Sequence, residues 1–237
     1  MVAAMLLAHL IGDYVLQWDK LARLKFQEFK GVLAHGAIVG LVTWLCSLPF
    51  DTNWWPYVLI IGLTHVAIDA FPLWLGKRVR LQGAGIAGLV RYAIDQAVHL
   101  SIILIVLVWS GYLAVPSLVT DLVNALRHNR LLAILIGYAF ITTPAWVLVE
   151  FTAYGLINQS APDFSCSTNK YIGILERGLI TTFVATGQFT LVPVVTLPRL
   201  LLEERPATGS QQAVLYVAEL LASVTLAVAV GLVLRHL

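Results

Sequence analysis

The chain has 237 residues, 59% of them hydrophobic and only 12% charged, with a mean hydropathy of +0.84 and a formal net charge of +2. Soluble domains carry about a quarter charged residues, so the composition predicts a polytopic membrane protein. No basic block or nucleic-acid motif is present, which argues against DNA or RNA as a partner. Cys46 and Cys166, with no CxxC spacing, make neither a disulfide framework nor a zinc ribbon.

Apolar runs of about 20 residues match the helix length that crosses a hydrocarbon core of ~30 Å. Seven are predicted, at roughly 1–18, 31–50, 56–76, 92–111, 131–150, 178–198 and 213–234. The first lacks a basic n-region and carries His9 and Asp13 where a signal peptide keeps its apolar stretch, so it is expected to be a retained span. Lys20, Arg23, Lys25 and Lys30 follow it, and Lys77, Arg78, Arg80 and Arg91 follow the third run. The turn with Asp51, Trp54 and Trp55 holds no basic residue. Cytoplasmic loops hold the excess of Lys and Arg, so seven spans would place the N-terminus outside and the C-terminus in the cytoplasm. Eleven of the 15 basic residues then lie inside, with Arg127, Arg130, Arg199 and Arg205 outside. Within residues 113–126, Leu or Val at 115, 118, 119, 122, 123 and 126 around Pro116 predicts an amphipathic surface helix. Segments 159–170 and 203–212 have no apolar period and are expected to be loops. The expected fold is an all-α transmembrane bundle forming one domain over 1–237. Residues 1–111 supply two hairpins, and 112–237 supply three further spans and loops.

Seven ionisable residues interrupt the first four runs: His9, Asp13, His35, His65, Asp69, Asp95 and His99. Six of them form the pairs His9/Asp13, His65/Asp69 and Asp95/His99 at i, i+4, one helical face each time. An ionisable group at bilayer depth costs roughly 2.5–3.5 kcal/mol on insertion scales, so it is retained where it pairs, binds a cation or lines a polar cavity. Depth decides whether the seven can meet. At 1.5 Å per residue, His35 and Asp95 lie roughly 6–8 Å from the basic residues marking their helix ends, Asp13, Asp69 and His99 about 10–12 Å, and His9 and His65 about 16–18 Å. In the alternating topology all seven fall in the cytoplasmic half.

Imidazole and carboxylate at i, i+4 can reach one ion, as the two histidines of HExxH do. A set of aspartates and histidines without thiolate suits Zn first, with Mn or Fe as alternatives. Two other readings stay open: a proton or ion pathway, and plain hydrogen-bonded pairing that fixes helix packing.

The order His9-Leu-Ile-Gly-Asp13-Tyr-Val-Leu-Gln17, Lys25, His35, Thr64-His65-x-x-x-Asp69 and Asp95-Gln96-x-x-His99 resembles a bacterial integral-membrane family called Domain of Unknown Function 3307. The likeness continues through Gly173-Ile-Leu-Glu176-Arg177, Gly187-Gln188 and Ala218-Glu219. It departs where the basic residue expected soon after Asp69 is displaced to Lys77, and where Ala222-Ser223 replaces a Gly-Thr. The resemblance implies a multi-pass protein of the bacterial inner membrane and no assigned activity. A looser similarity to membrane-bound metal-dependent hydrolases is an analogy of topology alone.

Glu176 and Arg177 stand at the expected cytoplasmic entrance of the sixth run, where an acid would serve as general base and a guanidinium would hold a phosphate or carboxylate. Ordinary interfacial pairing explains them equally well. The reading that follows is a metal-dependent hydrolase of the inner membrane. Its metal ligands come from His9, Asp13, His35, His65, Asp69, Asp95 and His99, and its catalytic groups from Asp13, Asp95, Glu176 and Arg177. The substrate would be a membrane lipid or lipid-linked small molecule reached from the cytoplasmic face. Rival readings are a proton- or metal-coupled transporter and a non-catalytic membrane subunit bound to a protein partner.

Overall fold

The structure, a computed structural model, describes residues 1–74, 86–155, 167–202 and 211–237. The basic residues Lys77, Arg78 and Arg80, Cys166, and most of the two expected loops lie outside the described residues. All regular structure among the described residues is helical: α1 (Val2–Leu10), α2 (Asp19–Gln27), α3 (Phe29–Ser47), α4 (Trp55–Trp74), α5 (Ile86–Trp109), α6 (Leu118–His128), α7 (Arg130–Ile141), α8 (Thr143–Ala153), α9 (Ser167–Ala185), α10 (Val192–Leu202) and α11 (Gln211–Arg235). Four helices, α3, α4, α5 and α11, are long and apolar enough to cross a membrane, and the pair α7 and α8 makes a fifth if counted as one broken span. Only 22% of the apolar window of α4 and of α5 is buried inside the protein. The rest is half-buried or exposed, and side chains such as Leu59, Leu63, Phe71, Ile94, Ile105 and Trp109 make an exposed apolar surface that water would not tolerate on this scale but acyl chains would.

Three of the seven expected spans differ from uniform membrane helices, each for a local reason. The first is α1 continued by one wide π turn, Ile11–Val15. Fourteen residues rise about 21 Å, short of a hydrocarbon core. Seven of the nine residues of α1 are buried by neighbouring helices, so its apolar character serves a protein interior. The fifth run is split at Thr142, which leaves helical geometry just ahead of Pro144 at the start of α8. In the sixth, Gly187 adopts φ +80°, Gln188 N–H donates to Phe183 O and Gly187 N–H to Val184 O, the glycine-dependent stop that closes a helix end. That stop ends α9 at Ala185, and α10 begins anew at Val192. Seven uninterrupted spans are thus not what this chain forms.

Helix boundaries elsewhere follow the sequence more closely, with two exceptions. The amphipathic run near 118 is α6, and the segment expected as loop up to Lys170 is helical from Ser167. The stretch after the first run, read only as a basic loop, forms α2, of which Leu21 alone is buried.

The chain divides into two compact units, 1–81 with 93–139, and 82–92 with 140–237. In the first, α1 packs on α3 and α6, α3 packs on α4, and α2 lies across α3 and α4. Val2, Met5, Trp54, Val58, Ile61, Ile103, Val106 and Leu107 form its apolar core, at the N-terminal end of α1. The C-terminal end of α1 is left for the polar residues. In the second, α9 packs along α11, and α8 also packs on α11. Ile180, Val184 and Ala227 are the centre of that contact.

Candidate metal centre

Every one of the seven interrupting residues belongs to the first unit. Glycines beside the acidic and basic groups bring their helices into backbone range. A Cβ at Gly12 would press on Val39, and one at Gly31 would fall on the Leu24 carbonyl group and the Lys25 nitrogen. Small residues at such crossings let polar side chains on neighbouring helices reach each other. Asp13 sits in the wide turn that follows α1, where i to i+5 bonding displaces the backbone from the α-helical path.

His35 is fully buried, His9, His65 and His99 are at most 3% exposed, and the side chains of Asp13 and Asp69 are about as inaccessible. His35 Nε2 lies 3.0 Å from Asp13 Oδ1 and 3.0 Å from His65 Nε2, and the third side of that triangle, His65 to Asp13, is 3.7 Å. A triangle with those sides has a circumradius of about 1.9 Å. An ion ~2.05 Å from all three corners would therefore stand about 0.8 Å above their plane, against ~0.7 Å for a regular tetrahedral zinc site. Asp69 closes the other side, its Oδ2 3.3 Å from His65 Nε2 and 3.6 Å from His35 Nε2. His65, Asp69 and His99 make a second group of three with ligand atoms within 4.8 Å of one another.

Two residues outside the expected set complete the network. Lys25, from α2, places Nζ 3.1 Å from Asp69 Oδ2 and 3.9 Å from Asp13 Oδ1. Gln96 donates from Nε2 to Asp13 Oδ2 and to Asp95 Oδ2, both at 3.1 Å. Carboxylates only accept, so they fix the amide orientation. Its Oε1 then accepts from His9 Nε2–H at 3.1 Å, which leaves the lone pair of His9 on Nδ1, a buried atom with no hydrogen-bond partner. His9 and Asp13 are thus joined through Gln96 and not by a direct pair. By the same logic His99 Nδ1–H donates to the Asp95 carbonyl at 2.9 Å, which leaves Nε2 as the lone-pair nitrogen. The Asp95 carboxylate is 46% exposed and 3.8 Å from His99, so of the seven it is the one at the edge. A cavity of about 10 Å³, one water in size, adjoins His9, Thr43, Thr64, His65 and His99.

Four electron-rich atoms, two from imidazoles and two from carboxylates, thus crowd into one buried volume. The imidazoles can supply at most one proton each at those positions, and Lys25 is the only neighbouring cation that these contacts include. A divalent ion would satisfy these acceptors together, and the donor types suit Zn, Mn or Fe.

Glu176 and Arg177 belong to the second unit and are engaged there. Arg177, 2% exposed, donates from Nε to Ile141 O at 2.7 Å, from Nη2 to Thr142 O at 3.2 Å and from Nη1 to Ser223 Oγ at 3.1 Å. It supplies a partner to the Ile141 carbonyl where α7 ends and a second donor to the Thr142 carbonyl, which also accepts from Trp146 N–H at 3.2 Å. Glu176 accepts from Arg199 at 3.1 Å. Lys25 and Gln96 were both legible as residues yet not as members of the centre. Both stood among the motif residues of the family resemblance, and Gln96 also as a polar residue adjoining Asp95 in an apolar run.

No curated protein and no solved structure matches the chain. A family model does match, over residues 1–127, a stretch that contains α1 to α5, all seven interrupting residues, Lys25 and Gln96, and that ends before the Gly173–Arg177 and Ala218-Glu219 motifs. The chain belongs to the family described as protein of unknown function DUF3307.

Proposed function

We propose that this protein is a membrane-embedded, metal-dependent hydrolase acting on a lipid or lipid-linked substrate near the cytoplasmic face of a bacterial inner membrane. The observation that carries the reading is the triangle of Asp13 Oδ1, His35 Nε2 and His65 Nε2, whose sides of 3.0–3.7 Å fit three ligands of one tetrahedral ion. Such an ion lowers the pKa of a bound water toward 7 and polarises a carbonyl or phosphoryl oxygen. Around it, Gln96 holds the Asp13 carboxylate by its second oxygen, leaving Oδ1 for the centre. Lys25 is placed to bind a negative group on the substrate or to steady charge developing there. Asp95, at the exposed edge, is suited to carry a proton between the centre and water.

Orientation supports the choice of face and substrate. Lys20, Arg23, Lys25 and Lys30 cluster around α2, so the positive-inside rule assigns that end of the first unit to the cytoplasm. His35 is the seventh residue of α3, about 9 Å along the helix from Phe29. A site at that depth suits an amphiphile whose polar group reaches the ion while its chain stays among acyl tails.

Protein purified in detergent without chelator should carry about one divalent ion or more per chain, and His35→Ala should lose it. The same preparation, offered lipid esters, amides and phosphoesters, should hydrolyse at least one class in a chelator-sensitive manner. Metal content near zero in the wild type, or hydrolysis of none of the three classes by metal-loaded protein, would overturn the proposal.

A further inference from the structure

We propose that the centre holds two divalent cations bridged by the Asp69 carboxylate, the second and weaker one bound between Asp69 Oδ1 and His99 Nε2. This rests on the metal reading above and extends it. Asp69 faces two ways: Oδ2 is turned to His65, His35 and Lys25, whereas Oδ1 is 3.9 Å from His99 Nε2. His99 is 3% exposed, and its Nε2 is buried without a hydrogen-bond partner. Because the Asp95 carbonyl accepts from Nδ1–H, that Nε2 carries a lone pair in the neutral ring.

Two acceptors thus face each other across 3.9 Å, too far for a hydrogen bond and close enough to repel. A buried polar atom of this kind is costly unless something electrophilic lies between. The gap accommodates an ion bonded to both at about 2.1–2.2 Å, and the water-sized cavity beside His9, His65 and His99 provides room for its remaining ligand. A carboxylate with one oxygen on each of two ions is the usual bridge in sites whose metals stand ~3.5–4 Å apart. Asp13, Asp69 and Asp95 against Lys25 leave two negative charges, so the first ion neutralises the centre. The second makes it positive and therefore dependent on an anionic companion such as phosphate. With two protein ligands against four, counting Asp69 Oδ2 on the first ion, it is also the weaker of the pair.

The test is a Mn²⁺ titration of chelator-stripped full-length protein in detergent, with free Mn²⁺ read by its EPR signal, in the presence and absence of inorganic phosphate. Two ions per chain are expected, the weaker binding at least tenfold tighter with phosphate, and the fully loaded protein should give an exchange-coupled Mn pair spectrum. His99→Ala and His99→Gln should each keep the tight ion and lose the weak one. One ion per chain with or without phosphate would overturn the second site and leave the first standing. No bound ion would overturn both, and a second ion retained in both His99 variants would overturn this assignment of its ligands.

Discussion

Replacing Lys25 by methionine should tighten divalent-ion binding, although most substitutions in a metal centre weaken it. Nζ is 3.9 Å from Asp13 Oδ1, so an ion ~2.1 Å from that oxygen stands within about 6 Å of the ammonium. At 6 Å a single and a double positive charge repel by about 1.4 kcal/mol even at the dielectric of bulk water, and by about 5.5 kcal/mol at an effective dielectric of 20. The smaller figure is already tenfold in affinity. Lys25→Met keeps most of the stem that packs between α2 and the bundle and removes only the charge. Lys25→Arg keeps the charge and should stay near wild type. Competition against a chromophoric chelator in detergent micelles gives both dissociation constants. A Lys25→Met affinity equal to or weaker than wild type would refute the reasoning, because it would mean that the ammonium and the ion do not share one pair of carboxylates.

Three further outcomes follow from contacts beyond the triangle. Gln96→Leu removes the donor to Asp13 Oδ2 and the acceptor for His9, and should weaken binding by about 10–100-fold, measured in the same competition. Gly31→Ala puts a methyl group on the Leu24 carbonyl and should cost about 1–3 kcal/mol of stability. Gly40→Ala, with open space around the added carbon, should be neutral or gain about 0.5–1 kcal/mol, and thermal unfolding in micelles ranks the two. Arg177→Met removes the donor to the Ile141 carbonyl and to the Ser223 hydroxyl, whereas the Thr142 carbonyl keeps its bond from Trp146 N–H, at about 1–3 kcal/mol for each buried acceptor left unpaired. It should lower the unfolding midpoint while leaving the metal content of the folded fraction unchanged, which inductively coupled plasma analysis reports.

The residues of the centre could be read from the sequence because ionisable groups in apolar runs are costly, and because chain direction lets depth be counted. That reasoning selects residues in one layer, and His35, His65, Asp13 and Asp69 do share one volume. It does not resolve which atoms meet. His9 turns to Gln96, and Asp95 stands at the exposed edge, because side-chain partners depend on helix rotation and on the wide turn at Ile11–Val15. Lys25 was hidden by its setting: α2 has only nine residues, and its place depends on the close approach at Gly31. The number of spans was overread for a related reason. Hydropathy reports apolar surface but not what covers it, so α1, enclosed by protein, looks like a lipid-facing helix. The breaks at Thr142 and Gly187 depend on single backbone geometries that a 20-residue average removes.

Anomalous diffraction from crystals of the protein purified without chelator, with data on both sides of the zinc, iron and manganese edges, addresses the central claim most directly. The account predicts a peak about 2.0–2.2 Å from Asp13 Oδ1, His35 Nε2 and His65 Nε2 together. Maps with no peak at any of the three edges, in crystals where these side chains are ordered and remain hydrogen-bonded to one another around Lys25, would contradict it.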